Sequence, residues 1–312
     1  NFIFGYLEPY INKKLKRRKI VIICFEDIDY KIINQDLIFV FKSDFFRQLI
    51  FLTLNLKYLY SSTPDLNNTI FTKSKLNKCK YIYLQHSPVS LTMIYNEKAF
   101  NEFDAIQIIS QYQLVEMIEI KNKYNLKIKL IKSKYLFVQK QIKYSPEKKM
   151  NDLLIAPSWN SNFYKLKCHE ILKTCLELHK ITYKIRPHPM SYIKNEISKK
   201  DLIDLGMSID ESVNINFNEY NFFISDWSGL FIEYALIFKR KSHLINTPKK
   251  IFNKNYMNFS STPVEISLRN ILCETYEINQ IKDLVNRISV LKDNQNFEQD
   301  HGVKKIIEKN FF

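Results

Sequence analysis

Glycine is scarce in this chain, 4 among 312 residues, and proline is modest at 9. That shortage excludes collagen-like, linker-like and low-complexity architectures. Long hydrophobic runs are missing too: no stretch approaches the roughly 18 uncharged apolar residues of a membrane-spanning helix, and the mean hydropathy is −0.26. Five cysteines (Cys24, Cys79, Cys168, Cys175, Cys273) are dispersed, with no CxxC pair and no Cys/His spacing suited to zinc. An odd number of scattered thiols suits a reducing cytoplasm better than a disulfide scaffold. No metal and no cofactor is implied. GxxxxGK[ST], GxSxG, HExxH and kinase-loop patterns are lacking, as are RNP, KH, zinc-finger and helix-turn-helix signatures, so nucleic acid is the least favoured partner. The chain starts at Asn1 rather than Met, and further residues, any targeting segment included, are expected upstream.

What is present is a globular composition, 46% hydrophobic and 25% charged, in a chain long enough for two domains. Its net charge of +15 is one-sided: residues 1–150 carry 25 basic and 13 acidic side chains, against 22 and 19 in the remainder. The run Lys13 to Lys19 and the alternating lysines from Lys121 to Lys134 contribute much of the excess. Such a half suits an anionic partner: a negatively charged leaflet, a phosphate-bearing substrate or nucleic acid. The plainer reading is a solvated, lysine-rich surface.

Short β-branched runs alternate with longer amphipathic stretches, the rhythm of βα units around a parallel sheet. Strands are expected at 20–25, 37–41, 81–84, 105–109, 153–157, 181–185, 221–225 and 242–246. Helices are expected at 111–124, 163–179, 230–238 and 276–291. The polar, Pro-containing segment 144–151 reads as a linker, which divides the chain into lobes 1–150 and 151–312. The fold class is therefore α/β, with two Rossmann-like lobes and parallel sheets facing a central cleft.

Three polar clusters fall at predicted strand ends, where open α/β sheets collect ligands. The first is Gln85-His86-Ser87-Pro88. An imidazole on a cleft loop is a candidate general base, or else a loop residue satisfying a backbone carbonyl. The second is Arg186-Pro187-His188-Pro189, where two prolines restrict a turn that carries a guanidinium and an imidazole. Arg offers a planar fork to phosphate oxygens, and His donates to phosphate or acts as an acid. In the third, Ser225-Asp226-Trp227-Ser228-Gly229, a strand runs into a helix start. Ser228, Gly229 and the following N–H groups could cradle a phosphate there, and Glu233 one turn later could reach a ribose hydroxyl. Ser225 or Asp226 could instead only cap the helix. His169, His179, His243 and His301 fit helix, strand or tail positions without chemistry, and Tyr58-Leu59-Tyr60 and Phe45-Phe46 read as core.

With Glu233-Tyr234-Ala235, the second and third clusters resemble the CDP-glycerol glycerophosphotransferases, the teichoic-acid primase and polymerase family. A looser resemblance takes in 60–66, 81–95 and 154–159, about residues 60 to 270 in all, and points toward surface-polysaccharide-associated members. The resemblance implies a GT-B fold, with donor nucleotide in the C-terminal lobe and acceptor in the N-terminal one. Carried over by motif, His86 would deprotonate an acceptor hydroxyl. Arg186 and His188 would hold a donor diphosphate, with Ser225, Asp226, Ser228, Gly229 and Glu233 around the nucleotide. Two departures stand out: His-Ser-Pro at 86–88 in place of His-Gly, and Trp227-Ser228-Gly229 in place of Tyr-Ser-Ser. The His-Pro pair also occurs in sialyl- and Kdo-transferases. The expected protein is a cytoplasmic transferase, peripheral on the inner face of the cell membrane. It would move an alcohol phosphate from a CDP-activated donor to a lipid-linked or phosphate-bearing glycan acceptor in teichoic-acid or capsule synthesis. A GT-B glycosyltransferase using a CMP- or UDP-sugar, and a non-catalytic lobe pair, are the alternatives.

Overall fold

The computed structural model describes residues 22–24, 38–40, 43–67, 71–143, 151–212, 214–294 and 298–312. The basic run 13–19 and most of the expected linker, 144–150, lie outside these residues.

Strands β1 (Ile22–Cys24) and β2 (Ile38–Val40) form a parallel pair. Helix α1 (Asp44–Thr53) follows, then a four-stranded parallel sheet in chain order: β3 (Tyr58–Ser61), β4 (Lys80–Tyr83), β5 (Ala105–Ile108) and β6 (Lys129–Lys132). Helix α2 (Gln111–Lys123) crosses from β5 to β6, with its first turn capped by Ser110, whose side chain accepts from the Gln113 amide. The core here is aromatic: Tyr81, Tyr83, Phe100 and Phe103 surround Ile106, Ile108 and Met117. Helix α3 (Leu136–Lys143) comes next, but its Phe137 and Val138 join the core of the following sheet.

That second sheet holds β7 (Asn151–Ile155), β8 (Tyr183–Ile185), β9 (Tyr220–Ser225), β10 (Ser242–Ile245) and β11 (Cys273–Tyr276), all parallel in the order β11-β10-β9-β7-β8. Helices cover both faces, so its strands read as unbroken apolar runs instead of alternating ones. Leu153, Ile155, Phe222 and Ile224 face α4 (Cys168–Leu178) and α9 (Ile281–Asp293). Leu154 and Phe223 face α7 (Leu230–Phe238), α8 (Val264–Leu272) and α10 (His301–Asn310). Between β8 and β9 lie two short helices, α5 (Pro189–Ile193) and α6 (Lys199–Asp204).

Read from β7, the strand order is 2-1-3-4-5, and connections leave in opposite directions on either side of the β7–β9 pair. In such sheets the carboxyl ends of the two strands at the reversal are the usual ligand position. The chain end returns to the first sheet, where the Phe312 amide donates to the Ile109 carbonyl at 3.0 Å. The fold is thus α/β with two parallel sheets. Among the described residues no helix is long and apolar enough to cross a membrane.

Three strands and two helices depart from expectation. Tyr58-Leu59-Tyr60, expected as core, lies in β3 with Tyr60 exposed, and the alternating lysines run through β6 at a sheet edge, where lysine discourages further pairing. The expected helix at 276–291 begins later, because Cys273–Tyr276 pairs with β10 as an edge strand. The expected tail around His301 is helix α10, capped by Asp300.

Candidate functional site

The loop after β4 carries His86, and the loop after β8 carries His188. His188 caps α5: its Nδ1 accepts from the Met190 amide at 3.1 Å, which leaves Nε2 to carry the ring proton. Pro189 occupies the first helical position, where its missing N–H costs nothing. His86 Nδ1 lies 3.3 Å from the Tyr83 hydroxyl, and the ring hydrogen-bonds the Ser62 carbonyl. Burial lowers the His86 pKa to about 4, helped by the charge of Lys250. Burial likewise lowers His188 to about 3, with Lys250, His86 and Arg186 adding repulsion. The two imidazoles, one from each sheet, are therefore within electrostatic reach of each other and of one lysine, and both are neutral at physiological pH.

Lys250, in the loop after β10, went unnoticed in the sequence because it belongs to an ordinary Pro-Lys-Lys turn. It is 9% exposed, with its ammonium 4.9 Å from the Trp159 ring centroid and 5.5 Å from that of Phe252. Those two rings are 4.9 Å apart, and Trp159 also lies 6.2 Å from the His188 ring. Trp159 comes from the loop after β7. Four strand-end loops thus meet at one place.

Arg186 stands beside this cluster, but its Nη1 donates to Asp210 Oδ2 at 3.0 Å and to the Ser212 carbonyl and hydroxyl at 2.8 and 2.9 Å. The expected diphosphate clamp is therefore engaged with its own neighbouring loop. The third cluster departs further from expectation. Ser225 is buried and donates to the Ala156 carbonyl at 2.6 Å, tying β9 to β7. Asp226 accepts from the Ser158 amide at 2.8 Å and holds the Trp159 loop; burial raises its pKa, opposed by bonds from Ser161 and Ser158. Ser228 Oγ accepts from the Leu230 amide at 3.3 Å at the start of α7.

Gly229 contacts the first sheet's loop rather than open space. A Cβ there would fall 2.4 Å from Ser87 Oγ and 2.5 Å from Val89 Cγ1, so glycine permits the lobes to touch. Glu233 is fully buried in the α3–α7 core, where it accepts the Tyr135 hydroxyl at 2.8 Å. Its carboxyl lies in protein interior, away from the loops that carry His86, His188 and Lys250.

Two residues that hold the cluster gave no signal in the sequence, because their partners are distant along the chain. Arg269 stacks on Trp227, with Cζ 4.1 Å from the ring centroid, and donates to the Asp226 carbonyl at 2.7 Å. Glu265 accepts from the Ser90 amide just beyond His86.

A cavity of about 720 Å³ opens on the far side of the Trp159 loop, between the start of α4 and α5–α6. Its lining includes Tyr164, His169, Lys194 and Glu196 but none of the residues expected from the three clusters. Among the described residues no group of His, Cys, Asp and Glu is arranged to hold a metal ion.

No family model matches the chain, and no curated protein matches it. Among solved structures, the chain is similar to the GtfA/B complex, with TM-score 0.37 and 10% identity over 74% of this chain and 50% of that one. It is also similar to the pneumococcal O-GlcNAc transferase GtfA in complex with UDP and GlcNAc, with TM-score 0.36 and 13% identity over 74% and 51%. The chain spans about half the length of those solved structures.

Proposed function

We propose that the protein is a GT-B-like transferase that passes a glycosyl group from a CMP- or UDP-sugar to a hydroxyl of a surface-glycan acceptor. The observation that carries this reading is the meeting of His86 and His188, from two different sheets, in the field of Lys250. The acceptor lobe would be built on the first four-stranded sheet and the donor lobe on the second, whose core also takes Phe137 and Val138 of α3, so the boundary lies before α3 rather than at residue 150. In the reaction, His86 takes the proton of the acceptor hydroxyl, whose oxygen attacks the anomeric carbon. The bond from that carbon to the phosphate oxygen breaks, and the nucleotide leaves with the electron pair. A neutral imidazole keeps a lone pair for that proton, and the His188 Nε2–H is a donor suited to a phosphate oxygen. Acceptors that are lipid-linked fit a position at the inner membrane face. There a basic first lobe gains about 1 kcal/mol per well-placed Lys or Arg.

The CDP-alcohol reading is second. Transfer of a phosphoryl group places charge on both the moving group and the leaving diphosphate, and asks for several cations. Here Arg186 is paired with Asp210, which favours a donor bearing its charge on the leaving group alone. The motif resemblance keeps that reading in view.

A calorimetric panel of CMP, CDP, UDP and CDP-glycerol against native protein and His188→Ala tests both. Binding of CMP or UDP by native protein, weakened in the variant, is the expected result. Transfer assays on a donor that binds then report which bond breaks. Absence of any heat at millimolar nucleotide overturns both readings.

A further inference from the structure

Lys250 is one of the few buried cations in the described chain, and its surroundings are unusual. Its ammonium has no hydrogen bond and no ion pair among the described residues; its close neighbours are the faces of Trp159 and Phe252. Three carboxylates act on it from a distance: Asp226 after β9, Glu265 of α8 and Glu196 after α5. Each is committed elsewhere, to the amides of Ser158, Ser90 and Asn160 respectively. A buried charge without a hydrogen-bonded partner is costly, and proteins retain one where a ligand completes it. The aromatic pair holds the cation without presenting a competing anion.

We propose that Lys250, held beside the Trp159–Phe252 ring pair, is the residue that receives the phosphate of the nucleotide leaving group. The inference rests on the transferase reading above and adds the residue that neutralises the departing charge. Position supports it: the ammonium lies beside Trp159 of the loop after β7 and within electrostatic reach of Asp226 after β9, at the strand-order reversal where such sheets take ligands. Chemistry supports it as well. The two imidazoles near it, His86 and His188, are neutral, and Arg186 is paired with Asp210, so Lys250 is the positive charge there without a direct ion-pair partner among the described residues. In the reaction it forms ionic hydrogen bonds to the phosphate oxygens as the glycosidic C–O bond breaks, keeping its own proton. Burial holds its pKa at about 8, with Asp226, Glu265 and Glu196 pulling upward, so the cation is lost in mild alkali.

The test uses the whole chain as native protein, Lys250→Met and Lys250→Arg, titrated calorimetrically with UDP, CMP and inorganic pyrophosphate near pH 6.5 and pH 9. Native protein should bind the nucleotide and lose roughly tenfold in affinity at the higher pH, as the ammonium deprotonates. Lys250→Arg should stay within about fivefold of native at pH 6.5 and lose that pH dependence, because guanidinium remains charged. Lys250→Met should weaken binding by about 30-fold or more, on the scale of a lost charge-assisted hydrogen bond. Its ligand-free melting temperature should hold or rise, since a buried charge without a direct ion-pair partner has gone; a purely structural lysine would lower it. Two results separate the failures. If native protein binds nucleotide and Lys250→Met binds it within about threefold, the Lys250 assignment is wrong and the transferase reading stands. If native protein binds none of the three ligands, both fall.

Discussion

Glu265 Oε1 accepts the Ser90 amide at 3.0 Å, so a helix of the second sheet grips the loop that leaves the first sheet through His86. Glu116 of α2 holds the same serine from the other side, accepting its hydroxyl at 2.7 Å. Both carboxyls are buried, and burial pushes Glu116 up to about 8 and Glu265 to about 7 from an ordinary 4.5. Groups raised in this way favour folding fully below the unfolded value, and the benefit is lost as pH rises through the folded values. The contribution of these two carboxyls to the melting temperature should therefore decline between about pH 4.5 and pH 8, and Glu265→Gln should flatten that decline while keeping an acceptor for Ser90. Glu265→Ala should lower the melting temperature by several degrees at every pH. A Gln variant with the native slope would refute the assignment, and differential scanning fluorimetry across pH reads it directly.

Gly229 tests how closely the lobes must approach. Its φ of −59° suits alanine, so the cost of a methyl group there comes from crowding, with Ser87 and Val89 the nearest neighbours. Gly229→Ala should cost about 1–3 kcal/mol of stability by overpacking. Ser87→Gly in the same chain should recover part of that loss, because the two sites are in contact and not additive. Chemical denaturation of both variants measures it.

The two histidines make a prediction about acid. Their folded values of about 4 and about 3 lie below an ordinary 6.5, so they contribute stability above that value and lose it as pH falls through the folded ones. For transfer, the acid limb of kcat/KM should lie near pH 4 to 5 and not near 6.5, and His86→Ala should lower kcat by about 10²–10⁴. A limb near pH 6.5 would mean the imidazoles are not the titrating base.

Glu233 separates core from cleft. Burial raises its pKa to about 8, so it is protonated at neutral pH. Glu233→Gln should leave both stability and nucleotide affinity near native at pH 7, whereas Tyr135→Phe should cost about 1–3 kcal/mol by stranding a buried oxygen. A marked loss of nucleotide affinity in Glu233→Gln would return this residue to the ribose.

Much of the second sheet was legible because its strands are buried on both faces. Tyr220–Ser225 and Leu153–Ile155 are apolar runs too short for helices, and Leu230–Phe238 carries apolar residues all round, as a helix between layers does. Edge strands were less visible. β6 exposes lysines at both ends, and β11 has one well-buried residue, Cys273, so neither shows a strong apolar signal. Of the three polar clusters, the imidazoles at 86 and 188 share one electrostatic neighbourhood, while Ser225, Asp226, Ser228 and Gly229 hold loops and lobes together.

Local order along the chain was enough to establish βα alternation, parallel pairing and the strand ends that carry His86, His188 and Asp226, since these follow from hydrophobic period and turn chemistry over a few residues. Tertiary packing alone decided what each group would meet. Asp210 takes the Arg186 guanidinium, Tyr135 takes Glu233, and Ser87 and Val89 lie against Gly229. Trp159 and Phe252, far apart in the chain, pair their rings beside Lys250. Charge pairing and burial depend on neighbours across space, and a linear pattern of residue types holds no record of which distant loops come together.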